Sequence, residues 1–309
     1  LDMNDDRLAK AKSFGDKLGK DIIVMNPAKV DVEKEIKAKI VRMEPLQPTV
    51  SIPHEKEIEN WLNTHLTRLN VTLDERDAYF GASLFIDFFH SIQMWAVDAD
   101  VSLFSPVSFD TTVDAGTLTM LDAFRMYRYE TALYKMRLTG REIKDVLEMS
   151  YAMWTNRMTC PDDDALLLEY NMDGGCRKGV KNISLNMVSA CGIVYTVDLS
   201  KEEGERVNIL SFDDGREFSL DAFYTIVINS YHGNGGGGLL TKGAGILSSE
   251  LPARIISITP KGLRDYLIEY LKREMSVTPS IISNWRFIPE EWTYAALKRD
   301  REIIFPLSI

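Results

Sequence analysis

The run Phe223-Tyr-Thr-Ile-Val-Ile-Asn229 and the segment after it, Ser230-Tyr-His-Gly-Asn-Gly-Gly-Gly-Gly238, are the most informative stretch of this 309-residue chain. The first part is almost entirely apolar, which predicts a central strand buried on both faces. The second part places Tyr231 beside a glycine-rich loop, where glycines permit positive φ and a close approach of the backbone to a ligand. Such a site suits a planar base, because stacking a base on an aromatic ring contributes ~1–3 kcal/mol.

Two other interpretations of the glycine-rich loop stay open. Gly233, Gly235 and Gly238 have the G-x-G-x-x-G spacing of a dinucleotide-binding oxidoreductase. That fold requires a helix directly after the loop, whereas residues 239–246 contain two further glycines. The loop is also compatible with a surface hairpin that binds no ligand.

Working outward from this stretch, strands and helices are mixed along the chain. Thr139 and Glu142 have the spacing of a capping box, which predicts a helix directly after a strand. Predicted strands cover 99–104, 131–138, 192–199, 207–212 and 223–229, and predicted helices cover 54–69, 83–95, 119–126, 139–150 and 262–275. The predicted class is therefore α/β, a mixed α+β sheet with flanking helices.

The remaining segments are assigned by composition. Residues 157–182 are polar and predict a long surface loop. The tail carries Trp285, Phe287, Trp292 and Phe305, which predicts a non-helical wrap that packs back on the body. Residues 44–53 are rich in proline and predict a junction between residues 1–50 and a domain formed by 51–309. Within the first part, residues 1–20 are interpreted as a charged helix or a frayed start, and residues 22–25 and 32–43 are predicted to be strands.

Composition limits the function classes. The net charge of -10 argues against binding a nucleic-acid polymer, which requires a basic surface. The sequence contains no run of about 18 apolar residues, so no membrane span is predicted, and no signal peptide is visible at Leu1. Cys160, Cys176 and Cys191 lack metal-ligand spacing and are predicted to be free thiols.

Several motifs follow one another in a specific order. They are Ala99-Asp-Val-Ser-Leu-Phe104, Phe124-Arg-Met-Tyr-Arg-Tyr-Glu-Thr-Ala-Leu-Tyr-Lys-Met-Arg-Leu-Thr-Gly-Arg-Glu-Ile143, Gly192-Ile-Val-Tyr-Thr-Val-Asp198, Gly204-Glu-Arg-Val-Asn-Ile-Leu210 and residues 229–238. Together they resemble the C-terminal, substrate-recognition domain of the 5′-nucleotidase superfamily, over roughly residues 70–275. The tail Asn284-Trp-Arg-Phe-Ile-Pro-Glu-Glu-Trp292 is similar to members of the same group.

The resemblance implies a base held between two aromatic side chains, at Tyr129 and Tyr231. A tyrosine pair resembles the 2′,3′-cyclic-nucleotide 2′-phosphodiesterase/3′-nucleotidase branch. The other substrate-binding candidates are Arg128, Thr131, His232, Gly235, Gly236 and Gly237. From the residues alone, Tyr129 also fits a core or interface aromatic. Arg128 and Glu130 fit a solvated pair, and His232 fits a solvent-facing loop.

The chain departs from the family pattern at three places. Where the 5′-nucleotidase branch has Gly-Gly-Gly-Ile-Arg, this chain reads Ser105-Pro-Val-Ser-Phe-Asp110, so an acid replaces the arginine. The asparagine of the family's Phe-Gly-Asn motif falls on Thr131, and the aspartate of its glycine loop falls on Gly237. These differences leave specificity for 5′-monophosphates open and leave the expectation of base stacking in place.

The metal-binding motifs of these phosphoesterases, D-x-H, G-D-x-x-D, G-N-H-D/E and G-H-x-H, do not occur in the sequence. None of the four histidines, His54, His65, His90 and His232, lies in such a motif, and His90 is predicted to be a core residue. We therefore expect no catalytic residue, metal or cofactor in this chain. The resemblance implies divalent metals in an upstream metallophosphoesterase domain, of which residues 1–50 are interpreted as a remnant plus linker.

The preferred hypothesis is a nucleotide- or nucleoside-recognition domain of a 5′-nucleotidase-like or 2′,3′-cyclic-nucleotide phosphodiesterase hydrolase. Its expected partners are the nucleotide and the upstream metal domain, and the resemblance implies the periplasm or cell envelope. The alternative is a non-catalytic binding or structural module that has lost its ligand. The sequence leaves open whether the chain itself is an enzyme.

Overall fold

The computed structural model describes residues 52–107, 111–169 and 179–306, with side chains from residue 56 onward. From Asn60 the chain forms one compact unit, Asn60–Ile309. The elements predicted in 1–50, the substituting acid Asp110 and the thiol of Cys176 lie outside the described residues. Cys160 and Cys191 are free thiols, as predicted.

The strands of the described residues are short, and we number them in chain order. They are β1 His65–Leu69, β2 Leu73–Asp74, β3 Val101–Phe104, β4 Thr112–Val113, β5 Gly116–Thr119, β6 Ala132–Thr139, β7 Leu168–Glu169, β8 Gly179–Val180, β9 Ser189–Cys191, β10 Ile193–Asp198, β11 Val207–Phe212, β12 Phe223–Asn229, β13 Ile255–Gly262, β14 Ser276–Val277 and β15 Trp285–Ile288.

The helices are numbered in the same way. They are α1 Ile52–Leu62, α2 Leu84–Ala96, α3 Met120–Met126, α4 Gly140–Trp154, α5 Ser230–Gly233, α6 Leu251–Arg254, α7 Leu263–Arg273 and α8 Glu290–Ile304. Short 3₁₀ turns cover Glu75–Phe80, Ser184–Asn186 and Gly236–Gly238, and a single π-helical turn covers Leu239–Gly243.

A five-stranded mixed sheet with the order β13-β6-β12-β3-β9 forms the centre of the described unit. Strand β12 lies in the middle, parallel to β3 and antiparallel to β6, as its apolar sequence predicts. The described residues also form the three-stranded sheets β14-β1-β5 and β11-β10-β15 and the two-stranded sheets β2-β4 and β7-β8. The predicted class, a mixed sheet with flanking helices, is confirmed.

The sequence of β12 is apolar because both of its faces are buried. Ile226 and Ile228 pack into one hydrophobic core, and Val227 packs into a second. Fully burying such a side chain stabilises the fold by about 1.5–3 kcal/mol. Helix α4 contributes Ile143, Val146 and Leu147 to the first core, and helices α2 and α7 contribute Phe85, Phe89, Leu263 and Leu267 to the second.

The predicted capping box at the start of α4 is confirmed. The amide of Glu142 donates to Thr139 Oγ1 at 3.1 Å, and the amide of Thr139 donates to Glu142 Oε2 at 2.7 Å. Two amides that the helix itself cannot satisfy are therefore paired. Because Thr139 also ends β6, this cap fixes the point where the strand turns into the helix.

The predicted helix over 54–69 is wrong in its second half. Helix α1 ends at Leu62, and His65–Leu69 forms strand β1 between β5 and β14. The apolar spacing suits a helix locally. However, β1 pairs with strands from distant parts of the sequence, and this pairing overrides the local preference.

Two further segments differ from the prediction. The tail is not a non-helical wrap: Trp285–Ile288 adds a parallel strand to β10, and Glu290–Ile304 is a 15-residue helix. It does pack back on the body, since Trp285 and Phe287 are buried in the first core. The segment 157–182 is only partly a surface loop, because its apolar side chains Met158, Ala165 and Leu166 are buried in the same core.

The turn after the glycine run does not form a dinucleotide-binding unit. Only the five-residue turn Leu239–Gly243 follows Gly238, and the strand before the loop pairs with its neighbour β6 in antiparallel fashion. A dinucleotide fold requires a longer helix and a parallel βαβ unit. Within the described ranges, no helix combines the length and the apolar character needed to cross a membrane.

Candidate functional site

A cavity of about 210 Å³ opens at the end of the central sheet where β12 finishes. It is lined by Val107, Tyr127, Tyr129, Thr131, Leu185, Asn229, Tyr231 and His232. The two tyrosines singled out in the sequence therefore line one cavity. The antiparallel register explains why: Asn229, the last residue of β12, lies opposite Leu133 near the start of β6, so the segments carrying the two tyrosines leave the sheet at the same end.

Tyr231 projects from the single helical turn of α5. The side chain of Asn229 caps this turn, with the His232 amide donating to Asn229 Oδ1 at 3.0 Å. The cap directs Tyr231 outward and His232 inward: Tyr231 is 44% exposed, whereas His232 is 2% exposed. One ring therefore offers a face to solvent while the next residue forms part of the cavity wall.

The glycine run lies behind the ring of Tyr231. A Cβ on Gly236 would lie 2.6 Å from the Tyr231 carbonyl oxygen and 2.6 Å from Cε2 of its ring. A Cβ on Gly237 would lie 2.0 Å from Oδ1 of Asn186, next to the cavity residue Leu185. Gly235 and Gly237 also adopt positive φ, at +89° and +70°, as glycine permits. The run thus lets the backbone pass close behind one wall of the cavity.

Tyr129 projects from the segment 127–131, which lies between α3 and β6 and has no regular secondary structure. Tyr127 anchors this segment: its amide donates to the Ala123 carbonyl at 3.1 Å, and its ring is buried in the second core. The hydroxyls of Tyr127 and Thr131 lie 2.7 Å apart and close the segment into a loop. Tyr129 stands at the tip and is 38% exposed.

The described wall of the cavity carries no formal charge at neutral pH. Burial lowers the pKa of His232 to about 4, opposed in part by a hydrogen bond to the backbone of Leu185. Burial raises the pKa of Tyr127 to about 12. The Nε2 atom of His232 is buried and has no hydrogen-bond partner among the described residues. The cavity therefore suits an uncharged, flat, largely apolar group.

Not every predicted site residue lines the cavity. Thr131 and His232 do, whereas Arg128 and the three glycines Gly235, Gly236 and Gly237 do not. His232 is not a solvent-facing loop residue. The predicted solvated pair of Arg128 with Glu130 is also not formed, because Glu130 pairs with the buried Arg264 at 2.6 Å.

Four cavity residues were not singled out in the sequence: Val107, Tyr127, Leu185 and Asn229. Tyr127 and Asn229 lie in the quoted motifs, where a signal existed. Val107 lies in Ser105–Asp110, the segment that stands in place of the family's Gly-Gly-Gly-Ile-Arg motif, whereas Leu185 comes from a segment without a distinctive pattern.

Among the described side chains, no three of His, Cys, Asp and Glu come together as a metal-binding group. The predicted core position of His90 is confirmed: its Nδ1 lies 2.8 Å from the Ser102 hydroxyl and its Nε2 lies 3.2 Å from the Ser189 hydroxyl. Burial lowers the pKa of His90 to about 3, so the ring is neutral. It lies away from the cavity wall and has a structural role.

Comparison with known families gives the same assignment as the motifs. The model of the 5′-nucleotidase, C-terminal domain matches residues 63–242, more than half of the chain. The chain belongs to the 5′-nucleotidase C-terminal domain family. The matched range includes both segments that carry the cavity tyrosines.

Individual relatives support this membership in the 5′-nucleotidase C-terminal domain family. The chain is 28% identical over 195 residues to the trifunctional nucleotide phosphoesterase protein YfkN of Bacillus subtilis, covering 59% of this chain and 12% of that protein. It is 26% identical over 195 residues to a 2′,3′-cyclic-nucleotide 2′-phosphodiesterase/3′-nucleotidase of Haemophilus influenzae, covering 58% of this chain and 27% of the relative. The chain thus spans about a quarter or less of these two relatives.

A solved structure shows the same fold. The 5′-nucleotidase precursor of Thermus thermophilus superposes with a TM-score of 0.58 at 16% identity. The superposition covers 87% of this chain and 46% of the other. At this identity the likeness concerns the fold alone.

Proposed function

We propose that this chain is the nucleotide-recognition domain of a phosphoesterase and that it holds the base of a nucleotide or nucleoside between Tyr129 and Tyr231. The observation that carries the proposal is the shared cavity: two exposed tyrosines, distant in sequence, line one apolar space. Each ring can stack on a planar base with a gain of ~1–3 kcal/mol. The relatives named as nucleotide phosphoesterases support a nucleotide as the ligand.

The charge of the cavity distinguishes which part of a nucleotide binds here. A phosphate is held by cations or by clustered amide donors. The described wall residues carry no cation, and His232 is neutral above pH 4 because burial lowers its pKa. The cavity therefore favours the base, and the phosphate points away from this wall.

The cleavage chemistry is proposed to come from a metallophosphoesterase domain upstream of this one, with divalent metals in that domain. Residues 1–50 are proposed as the last part of that domain plus a linker, and 51–309 as the recognition domain. The activity proposed by resemblance is that of the 2′,3′-cyclic-nucleotide 2′-phosphodiesterase/3′-nucleotidases. Under this proposal the protein acts in nucleotide breakdown in the periplasm or cell envelope.

Calorimetric titration of the chain with adenosine and with AMP tests the base site. Tyr231→Ala and Tyr129→Ala are each expected to weaken binding roughly 5- to 150-fold, since each removes one stacking face worth ~1–3 kcal/mol. Tyr294→Ala is the matched control, because Tyr294 is 79% exposed on helix α8 and is not part of the cavity wall.

The outcomes separate the proposal from its alternative. Unchanged affinity in both tyrosine variants removes the stacking model. A wild-type chain that binds no nucleoside at millimolar concentration selects the alternative, a binding or structural module that has lost its ligand.

A further inference from the structure

The segment that carries Tyr129 is hydrogen-bonded to one buried side chain from another element of the fold. Arg264 lies in the first turn of α7, and its side chain is only 8% exposed. Its guanidinium donates to the carbonyl oxygen of Arg128 at 3.1 Å and to that of Tyr127 at 3.5 Å. It also donates to the carboxylate of Glu130 at 2.6 Å. One cation therefore contacts the residues on both sides of Tyr129.

The guanidinium is itself fixed by an aromatic ring. Its Cζ lies 4.0 Å from the ring centroid of Phe124, on helix α3. Arginine suits this position because its planar fork stacks on a ring while several N–H groups donate in one plane. The adjacent amide of Leu263 donates to the Thr131 carbonyl at 2.9 Å, so the start of α7 holds the far end of the segment as well.

These contacts matter because Tyr129 lies between the two ends of the segment that are anchored, Tyr127 and Thr131. Residues 127–131 belong to no strand or helix. The buried ring of Tyr127 holds one end of the segment, and its hydroxyl contact with Thr131 closes the loop without involving residues 128–130. The bonds to the guanidinium and to the Leu263 amide join the segment to a different element of the fold.

We propose that Arg264 is a positioning residue for the base site: it holds residues 127–130 in the conformation that presents the Tyr129 ring to the cavity. The inference rests on the proposed function, because it assigns Arg264 a role only through Tyr129. Arg264 is not a ligand contact, since it does not line the cavity and its donors are used within the protein. It orders the Tyr129 wall of the cavity before the base binds, so that binding does not bear this entropy cost.

The substitution Arg264→Lys tests this positioning role while keeping the positive charge. A lysine can still pair with Glu130, but it cannot donate to the two carbonyls in one plane or stack on Phe124. Ordering a loose side chain on binding costs enough to weaken affinity about three- to tenfold. We expect that loss for adenosine, with the melting temperature lowered by about 2–4 °C through the lost hydrogen bonds and ring stacking. Arg273→Lys, at the exposed end of the same helix, is the matched control.

Two further readouts separate positioning from a general structural effect. In a Tyr129→Ala background, Arg264→Lys is expected to cause no additional loss of adenosine affinity, because its effect passes through the missing ring. Hydrogen exchange of the Tyr127 and Leu263 amides, which bond at the two ends of the segment, is expected to speed up in Arg264→Lys, with exchange elsewhere unchanged. Wild-type affinity in Arg264→Lys, or an equal loss with and without Tyr129, overturns the inference.

Failure of the proposed function gives a different result. If the wild-type chain binds no adenosine, the base site is refuted. The hydrogen-exchange measurement alone then shows whether Arg264 orders residues 127–130. Unchanged exchange of the Tyr127 and Leu263 amides in Arg264→Lys then overturns the positioning role.

Discussion

Replacing Gly236 by alanine is expected to displace the ring of Tyr231 without touching the cavity directly. The added Cβ would lie 2.6 Å from the Tyr231 carbonyl oxygen, about 0.8 Å closer than an ordinary contact of 3.4 Å. It would also lie 2.6 Å and 2.7 Å from two carbon atoms of the ring. Because the carbonyl belongs to the same short turn as the ring, the turn must shift and carry the ring with it.

The size of the effect follows from the stacking energy. Loss of one stacking face costs ~1–3 kcal/mol, which corresponds to a roughly 5- to 150-fold weaker affinity for adenosine. Crowding of the turn itself is expected to lower the free energy of unfolding by about 1–3 kcal/mol. Gly236 does not adopt positive φ, so the loss arises from the contact and not from backbone strain.

Calorimetric titration with adenosine, together with urea unfolding, measures both quantities. Gly179→Ala is the control, because a Cβ there meets no atom of the described residues within 4 Å and its φ is not positive. In a Tyr231→Ala background the Gly236→Ala change is expected to cost no further affinity. Wild-type affinity in the folded Gly236→Ala variant would refute the role of the glycine run as the support of Tyr231.

Three further predictions concern the pH dependence and the stability of the chain. Asp300→Asn is expected to raise the free energy of unfolding by ~1–2 kcal/mol at pH 7.5, measured by urea unfolding. Burial raises the pKa of Asp300 to about 6, so the buried carboxylate is destabilising at that pH. Its Oδ2 accepts from the amides of Ala165 and Leu166, and an asparagine oxygen can accept the same two bonds. Asp300 binds its proton more tightly in the folded state than in the unfolded state, so the free energy of unfolding of the wild type falls as pH rises from about 4 to about 6. The difference in unfolding free energy between the wild type and Asp300→Asn should therefore vanish below pH 4. Adenosine affinity is expected to stay flat from pH 8 down to pH 5.5, since the pKa of His232 lies near 4, and a step near pH 6.5 in the titrations would contradict a buried neutral ring. Thr139→Ala is expected to cost about 1 kcal/mol in unfolding free energy through loss of the cap, and no measurable change would contradict the capping role.

Local sequence signals predicted the parts of the fold that depend on local chemistry. The strand 223–229 was identified as central because its side chains are apolar on both faces, and the two cores use alternate residues of it. The cap at Thr139 was predicted because both partners lie within three residues of each other. His90 was predicted to be buried because its whole helix is apolar, and the structure adds the two serines that satisfy its ring.

Elements set by distant partners could not be predicted in this way. Residues 65–69 carry a spacing that fits a helix, yet they pair with strands at 116–119 and 276–277. The tail segment 285–288 becomes a strand only because β10 offers it an edge. In both cases pairing across the chain outweighs the local preference of a few residues.

The same distinction holds for the candidate site. The positions of Tyr129 and Tyr231 were suggested by the family resemblance, and the pairing of Asn229 with Leu133 explains why they share one cavity. The glycines were expected to face a ligand, but Gly236 lies against the back of Tyr231. Arg264 had no signal in the sequence, because its role depends on a contact between α7 and a segment far from it in the chain.

The most direct test of the central claim is a crystal structure of this chain with adenosine bound. The account predicts the adenine ring between the side chains of Tyr129 and Tyr231, parallel to both, with the ribose directed out of the cavity lined by Leu185 and His232. Adenosine bound elsewhere, or bound with its base outside the space between the two rings, would contradict the account.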